Sequence, residues 1–184
     1  MSSKEVQVYD IIEKKAGSNI AMQGLSGLVG FPFTAIADVT VFFTHYGPMF
    51  NEIRAVYGRS PICTKAFGPI IKGCKQELLV DMVLDKIIGN IPLIGLPANM
   101  ICAKAMTWRL GILFGMLASR GEEVNQENVT KAVRLIRELF PQKNALMFQK
   151  PSATTVGKLL KTVDSDSMEN FNQKIENILD ALAA

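Results

Sequence analysis

Few side chains in this sequence could carry chemistry, and their spacing argues against most of it. His45 is the single histidine. A nucleophile–base pair or a histidine metal site needs partners that the sequence does not place beside it. Between Thr44 and Tyr46, His45 reads as a packed or interfacial side chain. The three cysteines, Cys63, Cys74 and Cys102, form no CxxC pair. An odd, sparse set predicts reduced thiols in a cytosol-facing protein, used as small apolar fillers. No G-x-x-x-x-G-K-S/T loop occurs. Gly24-Leu25-Ser26-Gly27-Leu28-Val29-Gly30 has the glycines of a phosphate loop but neither the preceding strand nor the lysine. Asp164-x-Asp166 begins like a calcium loop, yet its sixth position is Glu169 and its twelfth Ile175, where glycine and glutamate are required. The expectation is a protein with no catalytic machinery, no metal and no cofactor.

The ionisable residues that stand out lie inside apolar sequence: Asp38, His45, Lys104 and Arg109. A charge at the centre of an inserted helix costs about 2.5–3.5 kcal/mol, so such groups pair or face water. The opposite signs are present, and we expect Asp38 from one apolar region to meet Lys104 or Arg109 from the other. The competing reading puts all three at helix ends in solvent. Small residues form a second pattern. Gly111 and Gly115 stand four apart in an apolar stretch, the spacing that lets two helix backbones approach closely. Gly24, Gly27 and Gly30 do something similar or supply flexibility. The nine methionines suit adaptable packing or ordinary core filling.

The elements that must position these residues read as helices. Residues 4–15 place Val6, Tyr9, Ile11 and Ile12 at near-helical spacing. Ala16–Ala37 then runs 22 residues without a charge, punctuated by Gly24, Gly27, Gly30 and Pro32. Residues 35–57 read as helix despite the β-propensity of Val39–Phe43, with a break invited at Gly47-Pro48. Gly58–Pro61 is a turn. Gln76–Ile88 is amphipathic and ends at Gly89-Asn90. Ile87–Ala103 is a second uncharged run, 17 residues with Pro92, Gly95 and Pro97. Leu110–Ser119 is apolar again and Gly121 ends it. Glu122–Phe140 is an amphipathic helix with Val129, Val133, Ile136 and Phe140 on one face, stopped by Pro141. Two short helices follow, 153–163 and 167–183. The second places Phe171, Ile175, Ile178, Leu179 and Leu182 so as to pack on the core or to fill a partner's groove.

We therefore expect an all-α protein of helical hairpins, with two apolar regions broken by glycine and proline and amphipathic C-terminal helices. A helical hairpin domain would span 1–141, and 142–184 would be a linker and a helical tail packing on it. Apolar residues make up 48% and charged ones 20%, on the apolar side for a soluble domain. The formal charge of +3 comes from scattered lysines and arginines, which excludes a nucleic-acid role but suits an anionic lipid surface. No signal peptide or lipidation motif is recognised, so a cytoplasmic, membrane-associated protein is expected. The first uncharged run is long enough to span a bilayer by count, but its glycines and Pro32 favour a re-entrant hairpin or two short buried helices.

Three pieces of sequence carry a family resemblance. They are Phe31-Pro32-Phe33-Thr34-Ala35-Ile36-Ala37-Asp38, then Ile53-Arg54-Ala55-Val56-Tyr57-Gly58, then Ile91-Pro92-Leu93-Ile94-Gly95 with Thr107 and Gly111 beyond. From about Ile20 to Pro141 the chain resembles the helical domain of unknown function (697 family) attached to some Era-like GTPases and found in YcjF-type membrane proteins. The resemblance implies helical hairpins, membrane association and cooperation with a GTPase. These 184 residues hold no G domain, so a nucleotide-driven role would need a partner GTPase. The family transfers no functional residues. The leading expectation is thus a membrane-associated or self-assembling helical protein acting as anchor, scaffold or GTPase partner, with membrane lipid or a partner helix as its partner and homo-oligomers expected. The first rival is a soluble bundle that binds a lipid or a partner helix in an apolar groove. The second is a pore-forming protein.

Overall fold

The computed structural model describes residues 3–26, 39–73, 95–121, 129, 130, 133, 136 and 148–164, and the chain is all-α. Helix α1 spans Lys4–Ser26. Ser3 caps it: its hydroxyl accepts the Val6 N–H at 3.4 Å and its carbonyl the Gln7 N–H at 3.1 Å. The helix continues eleven residues beyond Lys15, where the charge pattern stops. Val8, Tyr9, Ile12 and Ala16 form one buried stripe at helical spacing. Packing of that stripe holds the backbone helical through Gly17, which propensity alone would not do.

Helix α2 spans Val39–Val56 and runs unbroken through Pro48, where the sequence invited a break. Pro48 is exposed, and the ring of Phe43 lies over Gly47, whose missing side chain leaves room for it. Tyr46, Met49, Phe50 and Ile53 are its buried face. Its end follows the Schellman pattern: Gly58, at φ +69°, donates to the Ala55 carbonyl at 3.0 Å and Arg59 to the Arg54 carbonyl at 2.9 Å. The chain then folds back, held by Asn51, whose amide accepts the Ile62 N–H at 3.0 Å and donates to the Ile62 carbonyl at 3.4 Å. A 3-10 turn, Thr64–Ala66, leads into helical residues 67–73.

Helix α3, Gly95–Arg120, is the hub. Pro97 falls in its first turn, where a missing N–H costs little. Ala105 to Ser119 are buried on every face, as befits a largely apolar central helix, with Thr107, Arg109 and Ser119 the buried polar residues among them. Gly121, at φ +63°, terminates it. Of the expected 122–140 helix, Val129, Thr130, Val133 and Ile136 are described and helical, and the three apolar ones are buried. Helix α4, Ala153–Asp164, is capped by Ser152, whose hydroxyl accepts the Thr155 N–H at 3.0 Å. The expected helices 76–88 and 167–183 lie outside the described residues.

Helix directions follow from who meets whom. On the α1–α3 seam Ile12 lies against Gly111 and Val8 against Gly115, so the two helices are antiparallel. Lys4 sits 5.6 Å from the centre of the Tyr57 ring, which makes α1 and α2 antiparallel too. Helix α2 therefore runs with α3. Phe43 and Phe50 of α2, Phe67 and Phe114 of α3 form the aromatic centre, with ring centroids 4.4–6.2 Å apart. Helix α4 lies against both α1 and α3 and buries Val156, Leu159 and Leu160.

Candidate functional site

Two arrangements involve the residues singled out from the sequence. The first is the glycine seam of α3. A Cβ at Gly111 would stand 2.8–2.9 Å from Ile12 Cδ1 and Cγ2. A Cβ at Gly115 would stand 3.0 Å from Leu160 Cδ2 and 3.3 Å from Val8 Cγ1. The seam is thus filled by this chain's own α1 and α4. Gly24 lies in α1, while Gly27 and Gly30 lie outside the described residues.

The second is a polar belt at mid-height, where the charged sequence begins. Lys15 of α1 is half-buried near Glu52 and His45 of α2. Burial holds the Lys15 ammonium below its usual range against the pull of Glu52. Burial, with the Lys15 charge adding to it, pushes the His45 imidazole down to about 4, so it is neutral at physiological pH. Burial raises the Tyr46 hydroxyl to about 12, opposed by its hydrogen bond with Thr107 of α3. Arg109 is enclosed at 6% exposure and Lys104 is half-buried. Asp38, their expected partner, lies outside the described residues.

Sequence reasoning missed a strap. Lys150 pairs with Glu13 and lies 5.6 Å from the Tyr9 ring centre. The Tyr9 hydroxyl donates to the Pro151 carbonyl at 3.4 Å, and its ring packs on Trp108 at 5.0 Å. These contacts seat the segment before α4 across α1. They join residues some 140 positions apart, so no local pattern announces them. Cys63, read as an apolar filler, is instead an exposed free thiol beside the 3-10 turn. Among the described residues no group of histidine, cysteine and acid side chains is disposed to hold a metal. Comparison with family models, with curated proteins and with solved structures returns no match for this chain.

Proposed function

We propose that this protein is a non-catalytic helical scaffold that seats one end in a single leaflet of a membrane. The observation that carries this reading is the direction of the long helices. The C-terminal end of α1 and the N-terminal ends of α2 and α3 share one end of the bundle, and each carries an uncharged stretch there, with Asp38, directly before α2, outside the described residues. The stretches are Ala16–Ser26 on α1, Val39–Thr44 on α2 and Gly95–Ala103 on α3. Residues 27–37 and 87–94 of the sequence carry no charge either. At about 1.5 Å per residue the uncharged lengths of α1 and α3 rise about 12–15 Å. That is about half of the ~30 Å hydrocarbon core. No helix among the described residues is long and apolar enough to cross a membrane, and a single-leaflet seat needs none. Lys4, Glu5, Arg54, Arg59 and Arg120 lie at the opposite end, which would face water and any partner, a GTPase or a second copy included. The rival reading, an open groove for a foreign helix, has less support because α4 fills the groove between α1 and α3.

The test is flotation of the purified chain with phosphatidylcholine vesicles. The wild-type chain should float, and Leu96→Asp should remain below while keeping its helical circular dichroism, since a carboxylate in hydrocarbon costs about 2.5–3.5 kcal/mol. A wild-type chain that stays at the bottom of the gradient refutes the proposal.

A further inference from the structure

We infer that this membrane seat prefers anionic phospholipid, and that Lys14 and Lys104 are the cations that meet the headgroups. The inference rests on the seat just proposed and adds its lipid class. Moving along each helix away from the uncharged end, the first charges are Lys15, Lys14 and Glu13 on α1, Lys104 and Arg109 on α3, and Glu52 on α2.

Among the described residues, the first acids reached on α1 and α2, Glu13 and Glu52, are engaged. Glu13 is held by Lys150, and Glu52 faces Lys15. Helix α3 has no acidic residue along its whole length, Gly95–Arg120. His45 is neutral, and Arg109 is enclosed by protein. That leaves the exposed Lys14 and the half-buried Lys104 as the surplus positive charge at the level where lipid phosphates would lie. Because Ile12 stands against Gly111, Lys104 sits about 7 Å nearer the uncharged end than Lys14 at helical rise. A lysine stem spans that offset while its ammonium stays at the interface. The fit is to a layer of anionic headgroups over hydrocarbon, since the cations stand directly behind the uncharged ends of the same two helices.

The experiment measures partition of the full chain into vesicles of phosphatidylcholine alone and of phosphatidylcholine with about one-third phosphatidylserine. Partition into the anionic vesicles should be at least tenfold stronger, and the advantage should shrink at high salt. Lys14→Gln and Lys104→Gln should each lower anionic partition about fivefold, the effect of one cation near a charged leaflet. Partition of both variants into neutral vesicles should be unchanged, which also reports that they fold. Equal partition of the wild-type chain into both vesicles overturns the inference and leaves the seat standing. Partition into neither overturns both. A Lys104→Gln chain that keeps the full anionic advantage overturns the assignment of Lys104, as would hold if Asp38 engages it.

Discussion

A methyl group added at Gly111 has nowhere to go. Its Cβ would lie 2.8 Å from Ile12 Cδ1, 2.9 Å from Cγ2 and closer still to Cγ1. Ile12 is fully buried, and its β-branched side chain has essentially one rotamer in a helix, so α1 itself must shift. Two effects oppose each other in Gly111→Ala. The helix gains about 1 kcal/mol of propensity. Overpacking costs about 1–3 kcal/mol, and clashes with three atoms of a fixed side chain put the cost at the upper end. The net expectation is a loss of about 1–2 kcal/mol, a fall in Tm of about 3–6 °C for a chain of this size. Gly17 supplies the control, since a Cβ there meets nothing within 4 Å, and Gly17→Ala should stabilise by up to ~1 kcal/mol. Gly115→Ala meets the flexible end of Leu160 at 3.0 Å and Val8 Cγ1 at 3.3 Å, milder contacts than those at Gly111, and should cost less than Gly111→Ala. Urea and thermal unfolding followed by far-UV circular dichroism orders the three variants. Ile12→Ala in the Gly111→Ala background should cost less than Ile12→Ala alone, because the two sites share one space. A Gly111→Ala chain as stable as Gly17→Ala would refute the close α1–α3 seam.

Two further perturbations follow from the belt and the α2 turn. His45 titrates near 4 in the fold against the usual 6.5, so between those values the unfolded chain binds more protons. Its contribution is complete above about pH 6.5 and is lost as pH falls toward 4. The shift corresponds to up to ~3 kcal/mol, about 2 kcal/mol once solvent at the ring edge is allowed for. His45→Gln should flatten that part of the stability–pH curve relative to wild type; an unchanged slope between pH 6.5 and 4 would remove the buried-neutral account. Asn51→Ala removes both side-chain bonds to Ile62 and should cost about 1–2 kcal/mol. Hydrogen exchange at the Ile62 amide should accelerate, and protection equal to wild type would count against the tether.

The parts of this fold that the sequence disclosed are those governed by local rules. Gly121 ends α3 and Gly58 turns the chain after α2, both at positive φ, where glycine is the favoured residue. Val129, Val133 and Ile136 are buried as their spacing requires. The misreadings have one cause, tertiary packing overriding a local signal. Helix α1 reads from the sequence only as far as residue 15, where the charges stop, but it continues to Ser26. Proline at 48 invited a break within the helix read over 35–57, but an exposed proline beside a glycine leaves the buried face intact. Lys104 and Arg109 looked like interruptions between two apolar runs, yet both lie within the single helix α3. The Tyr46–Thr107 bond, the Tyr9–Trp108 contact and the Lys150 strap join distant positions, for which a single sequence carries no signal.

The polarity of the bundle depends on the glycine seam. The uncharged runs are about 70 residues apart in sequence and say nothing by themselves about sharing an end. They do so because α1 lies antiparallel to α3, with Ile12 at Gly111 and Val8 at Gly115. A parallel α1 would set its uncharged end beside Arg120 and its Lys4-Glu5 end beside the uncharged start of α3. Neither end would then suit hydrocarbon. Bare backbone at two points of α3 thus fixes where side chains of α1 lock, and that register decides which ends meet. The proposed seat therefore makes a joint demand on two classes of variant. A side chain added at Gly111 should weaken folding and vesicle binding together, whereas removing the Lys14 charge should weaken only the binding to anionic lipid.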